Sequence, residues 1–309
     1  MILKMDLIEN EWFIEAPWGR ISIVAWGNCY DPPVLLTHGV ADTAASFKPL
    51  VRLLPRNYYY IAMEFPGNGK SDWFPRGLPL STFEFVYAVH RVVSHFRWES
   101  FIFIGHSFGC LVGKTYNLCY PGKIRLLVEF DSWVAMVHIT PEIFSHWYKN
   151  SFRKYFDNYE INNAPKGHSK LYKREEALQR LMDTRGIKKE NAEATLQRLA
   201  IPAGDGLVRF SYDRRMKSIV TAPYNKEQVI KLYTSPKTPT LTILVDRLKE
   251  RRFSIPFLLE ESSYPHRNVR VRWSDGSHDV HFDEPERVAP LVSQFLLYGL
   301  KGLDEKAKI

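Results

Sequence analysis

The run Gly105-His106-Ser107-Phe108-Gly109 constrains this chain most, because of what lies on either side of it. Residues 101–104 are an apolar stretch of strand type, and Phe108–Cys119 has helical spacing, so a serine sits at a sharp strand-to-helix turn. Glycines at 105 and 109 leave room for strained backbone and close packing where a larger side chain would collide. A serine hydroxyl is a poor nucleophile unless a turn exposes it, a base takes its proton and donors meet the developing oxyanion. Ser107 meets the first demand; the other two must be met from elsewhere in the chain.

The surrounding rhythm sets the fold. Residues 11–16 and 20–26 flank Pro17-Trp18-Gly19 as a hairpin. Short apolar runs at 34–37, 58–64, 101–104 and 126–130 then alternate with amphipathic stretches at 80–96 and Phe108–Cys119, and runs at 239–245 and 268–273 complete eight strands. This alternation specifies an α/β fold, a mostly parallel eight-stranded sheet with helices on both faces. From about 132 to 235 the strand rhythm stops, and Pro141–Tyr148, 173–184 and 190–199 carry helical spacing with abundant charge. The expected organisation is a core of residues 1–131 and 236–309 enclosing a helical cap insertion, 132–235. Residues 285–298 are expected to close the core as one helix, with Pro285 in its first turn and Gly299 past its end.

A base should follow a late strand, and Asp275-Gly276-Ser277-His278-Asp279 comes directly after 268–273, so His278 is the candidate base. His281 and His106 compete on sequence proximity alone, each with a plain alternative as a loop or turn residue. One oxyanion donor is expected from the amide of Phe108, the residue after the nucleophile, and the other from Val40 in the loop His38-Gly39-Val40, with the His38 side chain supporting that loop. The orienting acid is expected to be Asp131, directly after the strand 126–130, because neighbouring strand ends flank one crevice. Glu250 and Asp246 remain the alternatives, and a strand-end turn or helix cap is the structural explanation of Asp131.

With these residues placed, the chain resembles the serine hydrolase-like protein family of the α/β-hydrolase superfamily. The resemblance is carried by His38-Gly39-Val40-Ala41-Asp42, Ser46-Phe47-Lys48-Pro49-Leu50, Leu53-Leu54-Pro55, Pro66-Gly67-Asn68-Gly69-Lys70-Ser71 and the Ser107 motif, and it resumes around His278 and Glu284-Pro285. It implies an α/β-hydrolase fold and a serine hydrolase that cleaves an ester or thioester-type carbonyl through an acyl-enzyme, with no cofactor and no metal. The family has no firmly assigned physiological substrate, so a reaction class is all it implies. Dehalogenases and epoxide hydrolases place an aspartate where Ser107 stands. Departures are Asn68 for the usual His, Cys110 for a common third Gly, and Glu64 for the usual Asp. The G-x-x-D-like turn that carries the acid in many superfamily members reads Val245-Asp246-Arg247-Leu248-Lys249-Glu250, which leaves Leu248 or Lys249 at the acid position.

Seven aromatic residues in the cap, Trp133, Phe144, Trp147, Tyr148, Phe152, Tyr155 and Phe156, fit either a small apolar acyl or aryl substrate or simple packing of cap on core. The rival functional classes are a ligand-binding receptor that kept the hydrolase fold and a catalytically degenerate interaction protein. A net charge of +8 arises from 42 basic residues scattered among 34 acidic ones, with no basic stripe for nucleic acid. No run of 18 apolar residues spans a bilayer. Three cysteines form neither a CxxC pair nor an even set, and no basic-then-apolar leader is present, which places the expectation in a reducing intracellular compartment. The end Ala307-Lys308-Ile309 is a loose variant of a peroxisomal address or else a frayed tail, so the expected location is cytoplasmic or peroxisomal.

Overall fold

The computed structural model describes residues 8–132, 139–166, 168–245 and 260–304. Strands β1 (Glu9–Ala16) and β2 (Gly19–Trp26) form the expected antiparallel hairpin, with Ala16 opposite Gly19. They are followed by β3 (Pro33–Thr37), β4 (Tyr59–Met63), β5 (Phe101–His106) and β6 (Ile124–Phe130). The segment after β6 holds three short strands, β7 (Tyr172–Lys173), β8 (Ala200–Pro202) and β9 (Leu207–Phe210), before β10 (Thr240–Val245) and β11 (Val269–Ser274) return to the main sheet.

The main sheet has eight strands in the order β1-β2-β4-β3-β5-β6-β10-β11. Pairing is parallel from β4 through β11 and antiparallel only where β2 meets β1 and β4. The central strands are apolar along their whole length because both faces are covered. Leu36 and Ile104 face a cluster that includes Val292 and Phe295 of the C-terminal helix. Leu35 and Phe103 face the opposite one, with Phe85 and Val89 of the helix Thr82–Phe96 and Val112 and Tyr116 of the helix Phe108–Cys119. Ser81 caps the first of these helices in a reciprocal pair with Glu84.

The strand order also places the site. From β3 the chain crosses to β4 on one side, and from β5 it crosses to β6 on the other, so the connections part at the carboxyl ends of β3 and β5. Such a switch point opens a crevice. His38 follows β3, Ser107 follows β5 and Asp131 follows β6.

Two expectations need correction. Residues 285–298 are not one helix: Pro285–Arg287 is a 3₁₀ turn, and the α-helix runs Ala289–Tyr298. Pro290 is the reason, since it lacks an N–H and its ring would clash with the carbonyl four residues back, so it fits only a first turn. Gly299, at φ 61°, ends the helix as expected. The insert between β6 and β10 is also not wholly helical. Its helices, among them Pro141–Tyr148, Arg174–Arg185, Lys189–Leu199 and Lys226–Thr234, accompany an antiparallel sheet ordered β7-β9-β8. These strands are two to four residues long and too short to show a period of two. Ala177, Leu181, Leu196, Leu199 and Phe210 build a small apolar cluster that closes onto Phe282 of the core. Among the described residues, no helix is long and apolar enough to cross a membrane.

Candidate functional site

Ser107 sits at the junction of β5 and its helix with φ 52° and ψ −115°, a conformation L-residues avoid. The turn is held by its backbone N–H donating to the Phe130 carbonyl at 3.0 Å and by its carbonyl accepting from Cys110 at 3.0 Å. Both flanking glycines are required by close approach. A Cβ at Gly109 would lie 2.3 Å from the Thr37 carbonyl oxygen, and one at Gly105 2.7 Å from the Cys110 nitrogen.

Asp131 ends β6 on the next strand, fully buried and also left-handed at φ 44°. Its backbone N–H donates to Ile243 at 2.7 Å. One carboxylate oxygen accepts from the Val245 amide at 3.4 Å, and the other is hydrogen-bonded to His278 Nδ1. The carboxylate is thus fixed from β10 and aimed at the imidazole, leaving Nε2 of His278 as the free ring atom. The Ser107 hydroxyl and His278 Nε2 have no hydrogen-bond partner among the described residues; such bonds often tighten only around a substrate. Glu250, Asp246 and Trp133 lie outside the described residues, as does the 307–309 tail.

The loop after β3 is set by His38. The Phe65 amide donates to its Nε2 at 3.0 Å, which leaves the proton on Nδ1 to be donated to the Gly39 carbonyl at 2.7 Å. Burial lowers the His38 pKa, in keeping with this neutral form. A trans peptide points its N–H opposite its carbonyl, so a carbonyl turned toward His38 turns the Val40 N–H the other way. Gly39 lies against the serine, since a Cβ there would stand 3.2 Å from the Ser107 Cβ. Phe108 opens its helix, where the first N–H groups lack partners within the helix and the dipole favours negative charge.

His106 and His281 are both fully enclosed. His106 donates from Nε2 to the His278 carbonyl at 2.9 Å, and its ring centroid lies 4.6 Å from that of His278. Burial pushes His106 well below the ordinary imidazole range and His281 down to about 3.

Sequence reasoning missed three charged residues here. Arg185, from the insert, donates to Asp42 at 2.6 Å and pairs with Asp279, beside His278. Burial alone would raise the Asp279 pKa, but the Arg185 charge holds it well below the usual carboxylate range. Asp42 stands two residues after Val40, yet Arg185 is 143 and 94 positions from its partners, beyond any local signal.

An apolar cavity of about 170 Å³ is lined by Leu111, one helical turn after Ser107, and by Thr115, Val220, Val229 and Tyr233 among others, though by none of the candidate site residues. A larger cleft of about 930 Å³ is lined by charged side chains such as Glu9, Lys48 and Arg198 and by none of the candidate site residues. Of the insert aromatics, Tyr155 is buried, whereas Phe144, Tyr148 and Phe156 are about half exposed; Tyr148 stacks on Phe152, Phe144 tilts against Trp147 and Phe156 meets Tyr155 edge-on.

Residues 34–291 match the model of the alpha/beta hydrolase family. The chain is 28% identical over 298 residues to Serine hydrolase-like protein 2 of Homo sapiens, covering 93% of this chain and 94% of that protein. It is 25% identical to Probable serine hydrolase of Drosophila melanogaster, with 93% and 87% covered. Among solved structures, hypothetical protein PA1622 from Pseudomonas aeruginosa PAO1 superposes with a TM-score of 0.78 at 22% identity, covering 94% of this chain and 99% of that one. The thioesterase domain from the curacin biosynthetic pathway gives 0.75 at 20% identity, with 92% and 99% covered. At these identities the two solved structures speak for the fold.

Proposed function

The chain belongs to the alpha/beta hydrolase family, and from that premise we propose that it hydrolyses an ester or thioester through an acyl-enzyme on Ser107. His278 removes the Ser107 proton as Oγ bonds to the substrate carbonyl carbon, then returns it to the departing alcohol or thiol. Water attacks the acyl-enzyme by the same route in reverse. Asp131 holds the ring so that Nε2 serves as base and stabilises the imidazolium that forms. The amides of Val40 and Phe108 receive the oxyanion.

The observation that carries this reading is the buried Asp131 carboxylate bonded to His278 Nδ1, one strand from a serine held at φ 52°. The names of the relatives, Serine hydrolase-like protein 2 and Probable serine hydrolase, support the same reaction class. The apolar cavity near Leu111 supports a small apolar acyl or aryl group, with residues 132–235 acting as the cap over it.

A fluorophosphonate probe should label the wild type rapidly and Ser107→Ala not at all. Failure of the wild type to label removes the mechanism and leaves a binding protein on a hydrolase fold. A panel of p-nitrophenyl esters and acyl-CoA thioesters of graded chain length then separates ester from thioester and sets the acyl size.

A further inference from the structure

Behind the serine turn lies a cage of donor atoms that the proposed reaction does not use. Asp42, His106 and His281 are each at least 98% enclosed, and one ligand atom from each lies within 4.8 Å of the others. Asp42 Oδ2, His106 Nδ1 and both His281 nitrogens have no hydrogen-bond partner among the described residues. Buried polar atoms are rarely left so, and one such atom from each of three side chains, gathered within 4.8 Å, calls for a common partner.

The bonds these residues do make prepare them to bind. The His278 carbonyl can only accept, so His106 carries its proton on Nε2 and presents the Nδ1 lone pair to Asp42 Oδ2, 4.0 Å away. Arg185 occupies the other oxygen, Oδ1, of Asp42. A histidine donating its far N–H to a carbonyl and a carboxylate held by its far oxygen are the outer contacts of a metal site. Asp42 and Asp279 together outweigh Arg185 by one negative charge. Two imidazoles and a carboxylate suit zinc and its neighbours, whose donors stand roughly 3.3 Å apart in a tetrahedral site, so shifts of several tenths of an ångström would close the cage.

We propose that Asp42, His106 and His281 form an inhibitory site for one divalent transition-metal ion of the zinc class. Its charge would lie against His106, whose ring adjoins His278, and would oppose the imidazolium that the reaction requires. The inhibition rests on the serine-hydrolase reading; the binding does not.

The probe is Co²⁺ on the full chain, read by its d–d absorption, with Zn²⁺ for crystals and labelling. One equivalent of Co²⁺ should give a nitrogen-and-oxygen-type band that Zn²⁺ displaces. In His281→Phe the affinity should fall about 100-fold or more. That variant keeps a ring packed against Phe47 and Phe130, with centroids now 5.1 and 5.4 Å away. Zinc-edge anomalous scattering from a soaked wild-type crystal should peak between the three side chains, a result that depends on no variant folding. A peak elsewhere, absence of the cobalt band, or an unchanged band in His281→Phe overturns the site. Zn²⁺ should slow fluorophosphonate labelling at least about tenfold; binding at the cage with undiminished labelling overturns the inhibition. A wild type that fails to label without metal is a failure of the hydrolase reading and leaves the cobalt result standing.

Discussion

Two arginines of the insert fasten it to the core by the same chemistry and in different places. Arg185 spans Asp42 and Asp279, both almost wholly enclosed, on the loops that carry Val40 and His278. Arg198 spans Glu64, buried at the end of β4, and Glu11, partly open on the edge strand β1, and adds a 3.2 Å bond to Ser22. Glu64 has other partners, accepting from the Lys70 amide at 2.7 Å and the Ala44 amide at 3.3 Å, whereas Oδ2 of Asp42 has none. Arg198 is therefore an anchor with spare supports. Arg185 pairs with two carboxylates beside the proposed oxyanion loop and base, so loss of the same kind of contact should register there in chemistry as well as stability.

The comparison needs a reference at the site itself, and that change should have the largest effect. Asp131→Asn removes the charge that orients His278, and turnover of a p-nitrophenyl ester should drop about 10⁴-fold with the fold retained. Glu250→Gln should leave turnover near wild type; the reverse result would move the acid to Glu250. Arg185→Met comes next. It strands two buried carboxylates and should cost about 3–5 kcal/mol in urea unfolding. In the folded fraction, labelling of Ser107 should slow by about 10- to 100-fold as the loops bearing Val40 and His278 shift. A stability loss with an unchanged labelling rate would show that this anchor does no more than Arg198.

How much of this is legible in sequence follows from the range of each interaction. The Ser107 turn is written locally, in a strand, two close-packed glycines and a helix start, and the structure has all three. The place of His278 after a late strand singles it out as a candidate, and the structure bonds its ring to Asp131. Asp131 is a candidate from the strand order, since β6 lies beside β5 and its end meets the same crevice. Arg185, Asp42 and Asp279 were not, because an ion pair across 94 or 143 residues leaves no periodicity and each member alone reads as an ordinary surface charge. The small sheet of the insert was hidden for another reason. Its hairpin joins β8 to β9 through Ala203-Gly204-Asp205-Gly206, a turn signal that stands out only once both flanks are accepted as strands. The closing helix starts at Ala289 because Pro290 fits only a first turn, whereas periodicity alone extends it back to Pro285.

The remaining tests fall on the other anchor. Arg198→Met should cost about 2 kcal/mol, the value of a charged hydrogen bond, because Glu64 keeps two backbone donors. Ser107 labelling should keep its wild-type rate, since the Ala44 and Lys70 amides still hold Glu64 and neither carboxylate bonds to residues 38–40 or to His278. Slowed labelling here would mean that seating of the whole insert, rather than the local contact at Asp42 and Asp279, controls the site. Glu11→Gln isolates the outer arm of the same anchor. Glu11 also pairs with Lys70 at 2.8 Å, but solvent screens both contacts. Burial raises its pKa and the Arg198 and Lys70 charges lower it, with a net shift downward. The change should therefore stay within about 1 kcal/mol and shrink further in high salt. If Glu11→Gln costs as much as Arg198→Met, the open arm carries this anchor, and the contrast with Arg185, whose two arms are both enclosed, is wider than the distances alone suggest.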